Sequence, residues 1–457
     1  MASIVCLATF LCGAASVSFY PNTNLTDTSG NIIQAHGGTI IQDQNALASG
    51  ATTWYWFGQD DSTDTDFDGF LGVPCYKSDD GMASWDYLGL ALSPTAGTAI
   101  SDDAVVERPK VLYNAKNDEY VMWFHLDNSD YGLAEVGVAT SSSIEGPYTF
   151  LSGFSPLGHQ SRDMGVYQDP DTDEAYLIFA TDDNANLAIA LLNDDYTNTT
   201  EVVYNFTDVY WEAPGVIKND DTFYLIVSPQ NGWTPTANIY MTASSMSGPW
   251  SDYEELAPTE AYTYLSQNAY DLTIVGSEET TFVYFGDRWN GDELFSSTYS
   301  FLPLEIDSSG TMTLHNTGGW SLDVETGAWA DLSYTSITAA ESSSRTTVSC
   351  TDDCSGGKAV SMTDSTTFTF TWDGSDGDKI MQVQYTYSGS DNSFLNLGVT
   401  VGGVAVAGNV LIESTIAVYT QQAPIPLTLS EGDEVVISLL NWNGDSVLIE
   451  GVDIYVE

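Results

Sequence analysis

Positive charge is scarce in this chain. Only 10 Lys and Arg stand against 64 Asp and Glu, so the formal net charge is −54 at pH 7. A surface this acidic repels phosphate groups, which argues against nucleic acid and anionic membranes as partners. A neutral polysaccharide is compatible with this charge, and we expect a monomer. The acidity is most simply a solubility feature and does not itself identify a substrate.

Long apolar runs and cysteines are also few. Residues 1–17 form a short apolar run that ends in small residues, which predicts a signal peptide although a basic start is missing. No later run approaches the roughly 18 apolar residues of a membrane span, so we expect a secreted protein. Of the 5 cysteines, two fall within that run. Cys350 and Cys354 are spaced for a small disulfide loop, which leaves Cys75 unpaired.

Helix-forming stretches rich in Leu, Ala, Lys and Glu are missing, whereas aromatic residues make up 12% of the chain. Thr, Ser, Gly and Asp are frequent, and this composition predicts an all-β protein. A length of 457 residues is enough for two or three domains with a large core.

Aromatic and β-branched runs recur along the first two-thirds of the chain. They are Trp54–Phe57, Tyr120–Phe124, Ala175–Phe179, Thr222–Val227 and Thr281–Phe285. A repeat of roughly 45–70 residues built from short strands is typical of propeller blades, so the pattern predicts a five-bladed β-propeller. An irregular array of β-sandwiches is the alternative. In a propeller, functional residues should recur just before or within the first strand of each blade, because that strand faces the central funnel.

Four segments fit this expectation, and each joins a polar group to a turn at the start of a blade. They are Gln34–Gly38 (QAHGG), Glu107–Lys110 (ERPK), Ser161–Gly165 (SRDMG) and Trp211–Gly215 (WEAPG). A fifth segment, Leu265–Asp271 (LSQNAYD), carries no acid until Asp271.

Glu212 is the strongest candidate for a general acid. It lies between Trp211 and the pair Ala213–Pro214, and a carboxyl next to an aromatic ring and a proline is poorly solvated. Desolvation raises a carboxyl pKa, so such a group can hold its proton near neutral pH. The alternative is a surface glutamate in an acidic protein.

Arginine is rare enough to be informative. The chain has Arg108, Arg162, Arg288 and Arg345, and the first three lie beside an acid. In a chain that avoids cations, such an arginine can hold a carboxylate ionised and oriented, which we predict for Arg162 and Asp163. A structural ion pair is the alternative, and it is favoured for Arg288.

No metal site is indicated in the first two-thirds of the chain. The four histidines lack metal-ligand spacing. His36 lies between Ala35 and Gly37, so we expect its ring either to pack closely against the backbone or to stack on a sugar. The segment DTDFDG at 64–69 matches the start of a calcium loop, but Cys75 stands where a bidentate Glu is needed, so an acidic surface loop is the better interpretation.

No Ser-His-Asp order, P-loop or dinucleotide fingerprint is present. Several separated carboxylates in a funnel rich in Tyr and Trp indicate sugar chemistry instead. Residues 28–330 resemble the family 43 glycoside hydrolases, which are five-bladed propellers and inverting enzymes, and more narrowly their exo-β-1,3-galactanase branch. The resemblance is carried by IIQAHGG, WYWFG, GVPCYKSDD, ERPKVLYN, SRDMG, WEAP, LSQ and GDRW followed by FLPLE.

The resemblance implies roles for four catalytic candidates. Glu212 matches the general acid, and Asp163 matches the carboxylate that tunes the pKa of that acid and orients the substrate. The usual catalytic-base Asp of the first blade is absent from QAHGG. In the galactanase branch Gln267 is a proposed water-positioning base that acts through an imidic acid tautomer. Glu107 is the other candidate, and ordinary chemistry favours a carboxylate over a neutral amide.

Further residues are predicted to bind the substrate. Tyr131 and Asn184 match substrate-contacting positions of the family, and Arg162, Gln34 and His36 are additional candidates. No cofactor is expected for catalysis. An inverting enzyme should hold the acid and the water-holding group roughly 6.5–9.5 Å apart.

The last hundred or so residues read as a second domain. Strand-like runs occur at Thr366–Trp372, Ile380–Tyr387, Leu397–Val401, Val404–Ala407, Val435–Leu440 and Val452–Val456. They predict a β-sandwich of the jelly-roll kind. Residues 334–457 resemble family 35 carbohydrate-binding modules, which implies a possible structural calcium site at Glu341 and Asp453. The usual E-A-E motif is reduced to Ala339–Ala340–Glu341, so its first acidic ligand is missing.

The sequence therefore predicts a signal peptide at 1–17, a catalytic propeller at 18–332 and a β-sandwich carbohydrate-binding module at 333–457. The expected activity is release of galactose from the non-reducing end of β-1,3-galactan with inversion. The alternatives are another family 43 activity, such as an arabinofuranosidase or xylosidase, or a non-catalytic galactan-binding propeller.

Overall fold

A computed structural model describes residues 16–43, 53–63, 69–344, 347–349, 357–389, 393–414 and 420–456. Nearly all of the predicted signal peptide, both cysteines of the predicted disulfide loop and most of the DTDFDG segment lie outside these ranges. Cys75 is buried and unpaired, as predicted. No helix in the described ranges is long and apolar enough to cross a membrane.

The first two-thirds of the chain forms five four-stranded antiparallel sheets, each a meander in chain order, after a short strand β1 (Val17–Phe19). Blade 1 contains β2 (His36–Gln42), β3 (Trp54–Gln59), β4 (Val73–Ser78) and β5 (Asp86–Leu92). Blade 2 contains β6 (Ala104–Asn114), β7 (Glu119–Asn128), β8 (Glu135–Ser141) and β9 (Thr149–Phe154). Blade 3 contains β10 (Met164–Gln168), β11 (Ala175–Thr181), β12 (Asn186–Leu192) and β13 (Thr199–Phe206). Blade 4 contains β14 (Trp211–Asn219), β15 (Thr222–Pro229), β16 (Ile239–Ala243) and β17 (Glu254–Glu255). Blade 5 contains β18 (Gln267–Val275), β19 (Thr280–Arg288), β20 (Thr298–Ile306) and β21 (Met312–Leu314).

The five-bladed propeller is thus confirmed. Each predicted aromatic run lies in the second strand of its blade. These strands are buried on both faces by neighbouring blades, so they read as continuous apolar runs, and β3 and β11 are buried along their whole length. Helical structure in the described chain is limited to the single α-helical turn Tyr262–Leu265 and the 3₁₀ turns Pro156–Gly158, Thr259–Ala261 and Leu294–Ser296.

Aromatic packing closes the ring between blades 5 and 1. The ring of Trp56 meets that of Phe285 edge-on at a centroid distance of 5.3 Å. The Tyr299 hydroxyl accepts the Ala35 N–H and donates to the Ile33 carbonyl, both at 2.9 Å. Next to this seam, β1 pairs with β22 (Trp320–Leu322), which pairs with β23 (Trp329–Asp331). The segment that precedes the site residues of blade 1 is therefore held rigidly by blade 5.

The C-terminal region is a β-sandwich, as predicted. One sheet contains β24 (Tyr334–Thr338), β25 (Thr347–Ser349), β26 (Lys358–Met362), β28 (Gly377–Ser388), β31 (Gln421–Leu429) and β33 (Ser446–Val456). The other contains β27 (Thr367–Thr371), β29 (Phe394–Val401), β30 (Val404–Glu413) and β32 (Glu434–Leu439). Inward-facing residues such as Phe368, Met381 and Ile437 form one apolar core between the sheets.

Polar contacts join the two domains. Arg288 at the end of β19 pairs with Glu413 of β30 at 3.1 Å, so it forms the structural ion pair favoured by the sequence, but with the other domain. The Gln382 amide donates to the Gly318 carbonyl at 2.7 Å, and the Asn22 amide donates to the Gln422 carbonyl at 3.2 Å. The sandwich is therefore anchored on the blade 5 side of the propeller.

Candidate active site

β-Bulges aim the site residues at the propeller axis. Four of the five innermost strands shift register at the predicted segment, between His36 and Thr39 in β2, Glu107 and Lys110 in β6, Glu212 and Gly215 in β14, and Asn268 and Tyr270 in β18. A bulge bends its strand and redirects side chains, and bulges are common next to active sites. In blade 3, Asp163 instead lies immediately before β10.

Glu212 is placed to keep a proton. Burial raises its pKa to about 8, and the nearby Asp163 charge acts in the same direction. The Arg108 charge and a hydrogen bond from the Gln267 amide oppose that shift without cancelling it. A carboxyl with this pKa is protonated at neutral pH, as a general acid must be.

Asp163 is held by Arg108 and not by the adjacent Arg162. The Arg108 Nε lies 2.9 Å from Asp163 Oδ2, which also accepts the backbone N–H of Ala213 at 3.0 Å. The Arg162 guanidinium instead approaches Asp127 at 3.9 Å and Asp183 at 3.7 Å. The prediction that Arg162 holds Asp163 is corrected, because neighbours along an extended chain point to opposite sides.

Sequence reasoning did not place Arg108 among the site residues. It was noted only as part of the ERPK motif and as an arginine beside an acid. In the structure it is buried, and its backbone is left-handed (φ 50°) within the bulge of β6. Besides Asp163, it donates to Gln267 Oε1 at 2.6 Å and to the Asn268 carbonyl at 3.1 Å. The sequence did contain a signal for Arg108: arginine is rare in this chain, and Arg108 lies in one of the candidate segments.

The Gln267 amide is fully engaged. Its oxygen accepts from Arg108 and from the indole N–H of Trp289 at 3.0 Å. Its nitrogen donates to Glu212 Oε1 at 2.7 Å and to the Ser228 hydroxyl at 3.3 Å. This pattern is that of an ordinary amide, since the oxygen accepts and the nitrogen donates. An inverting enzyme should hold its acid and its water-holding group roughly 6.5–9.5 Å apart. Glu212 and Gln267 do not have this separation, because they are in direct contact.

Glu107 is a clamped carboxylate with room for a further partner. Its Oε2 lies 2.8 Å from His125 Nδ1, and its Oε1 accepts the Tyr131 hydroxyl at 2.6 Å. Burial opposes protonation of His125, but hydrogen bonds to Asp127 and Glu107 outweigh it and raise the His125 pKa to about 9. An imidazolium therefore faces Glu107. Each carboxylate oxygen can accept a second hydrogen bond, so Glu107 can still bind a water.

Two predicted substrate contacts are turned away from solvent. His36 is fully buried, its Nδ1 lies 2.9 Å from Asp287, and its ring stacks on Tyr299 at 4.5 Å. The packing interpretation of His36 therefore replaces the sugar-stacking one. Gln34 is 6% exposed, and its amide donates to the Phe295 carbonyl at 2.9 Å. Both side chains support the wall of the site.

The open cleft is lined by Glu107, Tyr131, Trp233 and Asp61. Tyr131, a predicted substrate contact, is 38% exposed there. Sequence reasoning did not select Trp233 or Asp61. Trp233 stands edge-on to Trp289 at 5.1 Å, and partial burial raises the pKa of Asp61 to about 6.

Asn184, the other predicted substrate contact, lies on the loop between β11 and β12. It is half-buried and has a left-handed backbone (φ 65°). Its carbonyl accepts the Gln230 amide at 3.2 Å, which ties this loop to the end of β15 next to the WEAP segment. No described hydrogen bond joins the Asn184 side chain to the cleft, so its substrate contact stays a prediction.

The two candidate calcium ligands have separate partners. Glu341 Oε2 accepts from the Thr338 N–H at 3.0 Å and the Thr338 hydroxyl at 2.8 Å, whereas Asp453 Oδ2 accepts the Gln384 amide at 2.6 Å. Across the described ranges, no group of three or more His, Cys, Asp and Glu side chains gathers as metal ligands would. These carboxylates do not fit a shared calcium site, which needs several converging oxygens. Calcium binding by the sandwich stays a prediction.

A carboxyl whose pKa is raised to about 8, that of Glu212, lies near a second acidic side chain, Asp163, at the start of the innermost propeller strands. Cleavage of a glycosidic bond needs such a pair, so fold and site together define the class as a glycoside hydrolase. The chain belongs to the glycosyl hydrolases family 43, whose sequence model matches residues 46–294.

Solved structures extend the similarity to both domains. An exo-β-1,3-galactanase from Phanerochaete chrysosporium, crystallised with galactose, is 37% identical, with 96% of this chain and 100% of that chain covered and a TM-score of 0.85. A variant of the same protein with β-1,3-galactotriose gives 36% identity, the same coverage and a TM-score of 0.87. An exo-β-1,3-galactanase from Clostridium thermocellum is 25% identical over 96% of this chain and 100% of that chain, with a TM-score of 0.64. Among curated protein sequences, none matches.

Proposed function

We propose that this chain is a secreted exo-β-1,3-galactanase that releases galactose from the non-reducing end of β-1,3-galactan with inversion. The observation that carries the proposal is the environment of Glu212, whose pKa of about 8 leaves a proton available for the leaving oxygen. Solved relatives named exo-β-1,3-galactanases, one of them crystallised with β-1,3-galactotriose, support the substrate.

In this mechanism Glu212 donates its proton to the glycosidic oxygen between two galactose units. Asp163, paired with Arg108, raises the pKa of Glu212 and faces the sugar. Arg108 also fixes Gln267, and the Gln267 amide orients the acid through its 2.7 Å hydrogen bond. The acid is therefore oriented before substrate arrives, which lowers the cost of reaching the transition state.

We assign the water-holding role to Glu107. Its carboxylate has free acceptor capacity, whereas all four hydrogen-bonding positions of the Gln267 amide are taken. Chemical rescue distinguishes the two, because azide can replace a missing water-activating carboxylate. We expect azide to restore turnover to Glu107→Ala but not to Gln267→Ala. Rescue of Gln267→Ala alone would return the role to the glutamine.

Proton NMR of a linear β-1,3-galactan digest, followed from the first minute, tests the activity and the stereochemistry together. We expect galactose to appear first as the α-anomer, since inversion converts a β-linkage into an α-product. β-Galactose appearing first would contradict the inverting mechanism. Binding of galactan without release of galactose would establish a non-catalytic carbohydrate-binding propeller instead.

We also propose that the C-terminal sandwich binds carbohydrate. Trp442 is 37% exposed, and its indole N–H donates to the Asp445 carbonyl at 2.8 Å, which fixes the ring at the surface. A fixed exposed ring can stack on a sugar. We expect Trp442→Ala to weaken retention of the full chain on insoluble galactan while hydrolysis of a disaccharide is unchanged. Equal retention of both proteins would exclude this residue.

A further inference from the structure

The end of β19 contacts the active site and the sandwich with successive side chains. Asp287 accepts the Gly37 N–H at 2.7 Å inside the propeller. Trp289 donates its indole N–H to Gln267 at 3.0 Å. Arg288, between them, points the other way, because side chains alternate along a strand. A displacement of Arg288 must therefore move residues on both sides of it.

The sandwich holds Arg288 through three groups. Its Nε lies 3.1 Å from Glu413 Oε2, and its Nη2 donates to the Tyr385 hydroxyl at 2.8 Å. Its Nη1 approaches the Gln422 carbonyl at 3.5 Å. Arg288 is 9% exposed and Glu413 is 4% exposed, so water has little access to these contacts. A buried guanidinium with several partners has a fixed geometry.

We propose that Tyr385 and Glu413 of the sandwich are positioning residues for the active site. They fix Arg288, and Arg288 fixes the adjacent Trp289 so that its indole N–H stays on Gln267. Gln267 in turn orients Glu212. The sandwich is thus a structural part of the catalytic unit. This inference rests on the proposed function, since it assigns Gln267 an effect on the reaction.

A second interdomain hydrogen bond serves as a control. It distinguishes an effect carried from Tyr385 and Glu413 through Arg288 and Trp289 from a general loosening of the domain interface. Gln382 is fully buried and donates to the Gly318 carbonyl at 2.7 Å, also across the two domains. Neither Gln382 nor Gly318 contacts Arg288 or a site residue through a described hydrogen bond. Gln382→Met therefore removes an interdomain hydrogen bond without touching the proposed path.

The test compares Tyr385→Phe with Gln382→Met in the full chain. Tyr385→Phe removes only a hydroxyl and changes no charge. We expect it to lower kcat on β-1,3-galactobiose by about two- to thirtyfold, the range typical of residues that act through others. KM should change little, because the acid acts in the transition state. The alkaline limb of the kcat/KM profile should move to higher pH, because the Gln267 hydrogen bond favours ionised Glu212. Gln382→Met should show none of these effects.

The indole N–H signal of Trp289 in a protein with ¹⁵N-labelled tryptophan gives a readout that is independent of activity. Trp289→Phe assigns the signal. We expect Tyr385→Phe to shift it and to speed its exchange with solvent, and Gln382→Met to leave it unchanged. Glu413→Gln, which keeps the shape of the side chain, serves as the second variant if Tyr385→Phe does not fold.

The outcomes are separable. An unchanged indole signal and unchanged kcat in a folded Tyr385→Phe protein would overturn the inference, as would equal effects of Gln382→Met. If the wild-type chain released no galactose, the proposed function would fail, and the indole signal would still decide whether the sandwich positions Trp289.

Discussion

At the scale of single residues, the proposed mechanism depends on one proton on Glu212. Burial and the Asp163 charge hold that proton, while Arg108 and Gln267 limit the shift. The same four side chains are joined by hydrogen bonds and an ion pair, so the pKa of the acid and its orientation are set together. A change at any of them should therefore alter the pH dependence as well as the rate.

Replacing Glu212 with Gln removes the proton donor and keeps the shape of the side chain. We expect turnover of β-1,3-galactobiose to fall by about a hundredfold to ten-thousandfold, the usual contribution of a general acid. An activated aryl galactoside should lose much less, because its phenolate leaves without a proton. Steady-state kinetics on both substrates checks this. Glu201→Gln, on the exposed face of β13, is the control and should behave as wild type. Equal losses on the two substrates would remove Glu212 from the acid role.

Asp163→Asn should move the alkaline limb of the kcat/KM profile to lower pH. The reactive form of Glu212 is protonated, so activity is full below its pKa and is lost as pH rises through about 8. Removing the Asp163 charge removes one cause of the raised pKa and leaves Arg108 to lower it further. Asp220→Asn, in the exposed turn at the far end of β14, should leave the limb in place. A limb that does not move would show that Asp163 does not tune the acid.

Local sequence predicted the poor solvation of Glu212 but not the hydrogen bonds and the ion pair around it. Trp211 and Pro214 beside Glu212 indicate poor solvation, which is a property of a few adjacent residues. The partner of Asp163 depends on the bulge of β6, which turns Arg108 inward across 55 positions of sequence. Arg162 was selected because it is adjacent, and adjacency along an extended chain separates side chains. His36 and Gln34 were selected by motif, and their burial depends on blade 5.

At the scale of the element, the bulges convert regular strands into a site. Gly37 and Arg108 both have left-handed backbones within bulges of facing innermost strands. A Cβ at Gly37 would lie 3.1 Å from Arg108 Cγ and 3.1 Å from Gln59 Oε1. The bulge of β2 therefore leaves the space that Arg108 occupies.

Gly37→Ala should reduce both stability and activity. Gly402 has the same φ of 57°, but a Cβ there would meet nothing within 4 Å, so Gly402→Ala isolates the backbone cost. We expect each variant to lose about 1–2 kcal/mol of unfolding free energy from the left-handed conformation, with a larger loss at Gly37 from crowding. Only Gly37→Ala should lower kcat, because only it displaces Arg108. Urea unfolding and kinetics on the two variants check this. Full activity in folded Gly37→Ala would show that the bulge does not position the arginine.

Elements were predicted better than their contacts. The five aromatic runs mark the second strands because those strands are buried on both faces, and burial leaves a local signature. The strands β26 and β31 of the sandwich were not predicted, since β26 is only 5 residues long and two prolines interrupt β31. Bulges leave no comparable signature, because the extra residue need not be glycine, as Ala213 at φ 53° illustrates.

At the scale of the whole molecule, much of the positive charge lies in the interior and the surface carries mostly negative charge. Arg108, Lys110, Arg288 and Lys379 are all buried, which is a large share of the 10 basic residues. These cations stabilise internal contacts, so the surface is left almost entirely anionic. The pairing of Arg288 with Glu413, 125 positions apart, has no sequence signature and could not be predicted.

Added salt should therefore stabilise the folded chain. A net charge of −54 destabilises a compact state by self-repulsion, and screening relieves it. The Debye length falls from about 30 Å at 0.01 M to about 10 Å at 0.1 M, so most of the gain should come below about 0.2 M NaCl. For a chain of this size, each kcal/mol of repulsion relieved should raise Tm by about 2–4 °C or somewhat less. Calorimetry across a NaCl series at fixed pH measures this.

The shape of that salt curve identifies the cause. Screening of charge saturates at low ionic strength, whereas exclusion of salt from the protein surface grows with concentration and depends on the anion. A steep rise followed by a plateau, equal for chloride and sulfate at matched ionic strength, is expected from repulsion. A flat response below 0.2 M would mean that the carboxylates are far enough apart, or bind enough counterions, for their mutual repulsion not to limit stability. The buried Arg288–Glu413 contact should be insensitive to salt throughout, because ions do not reach it.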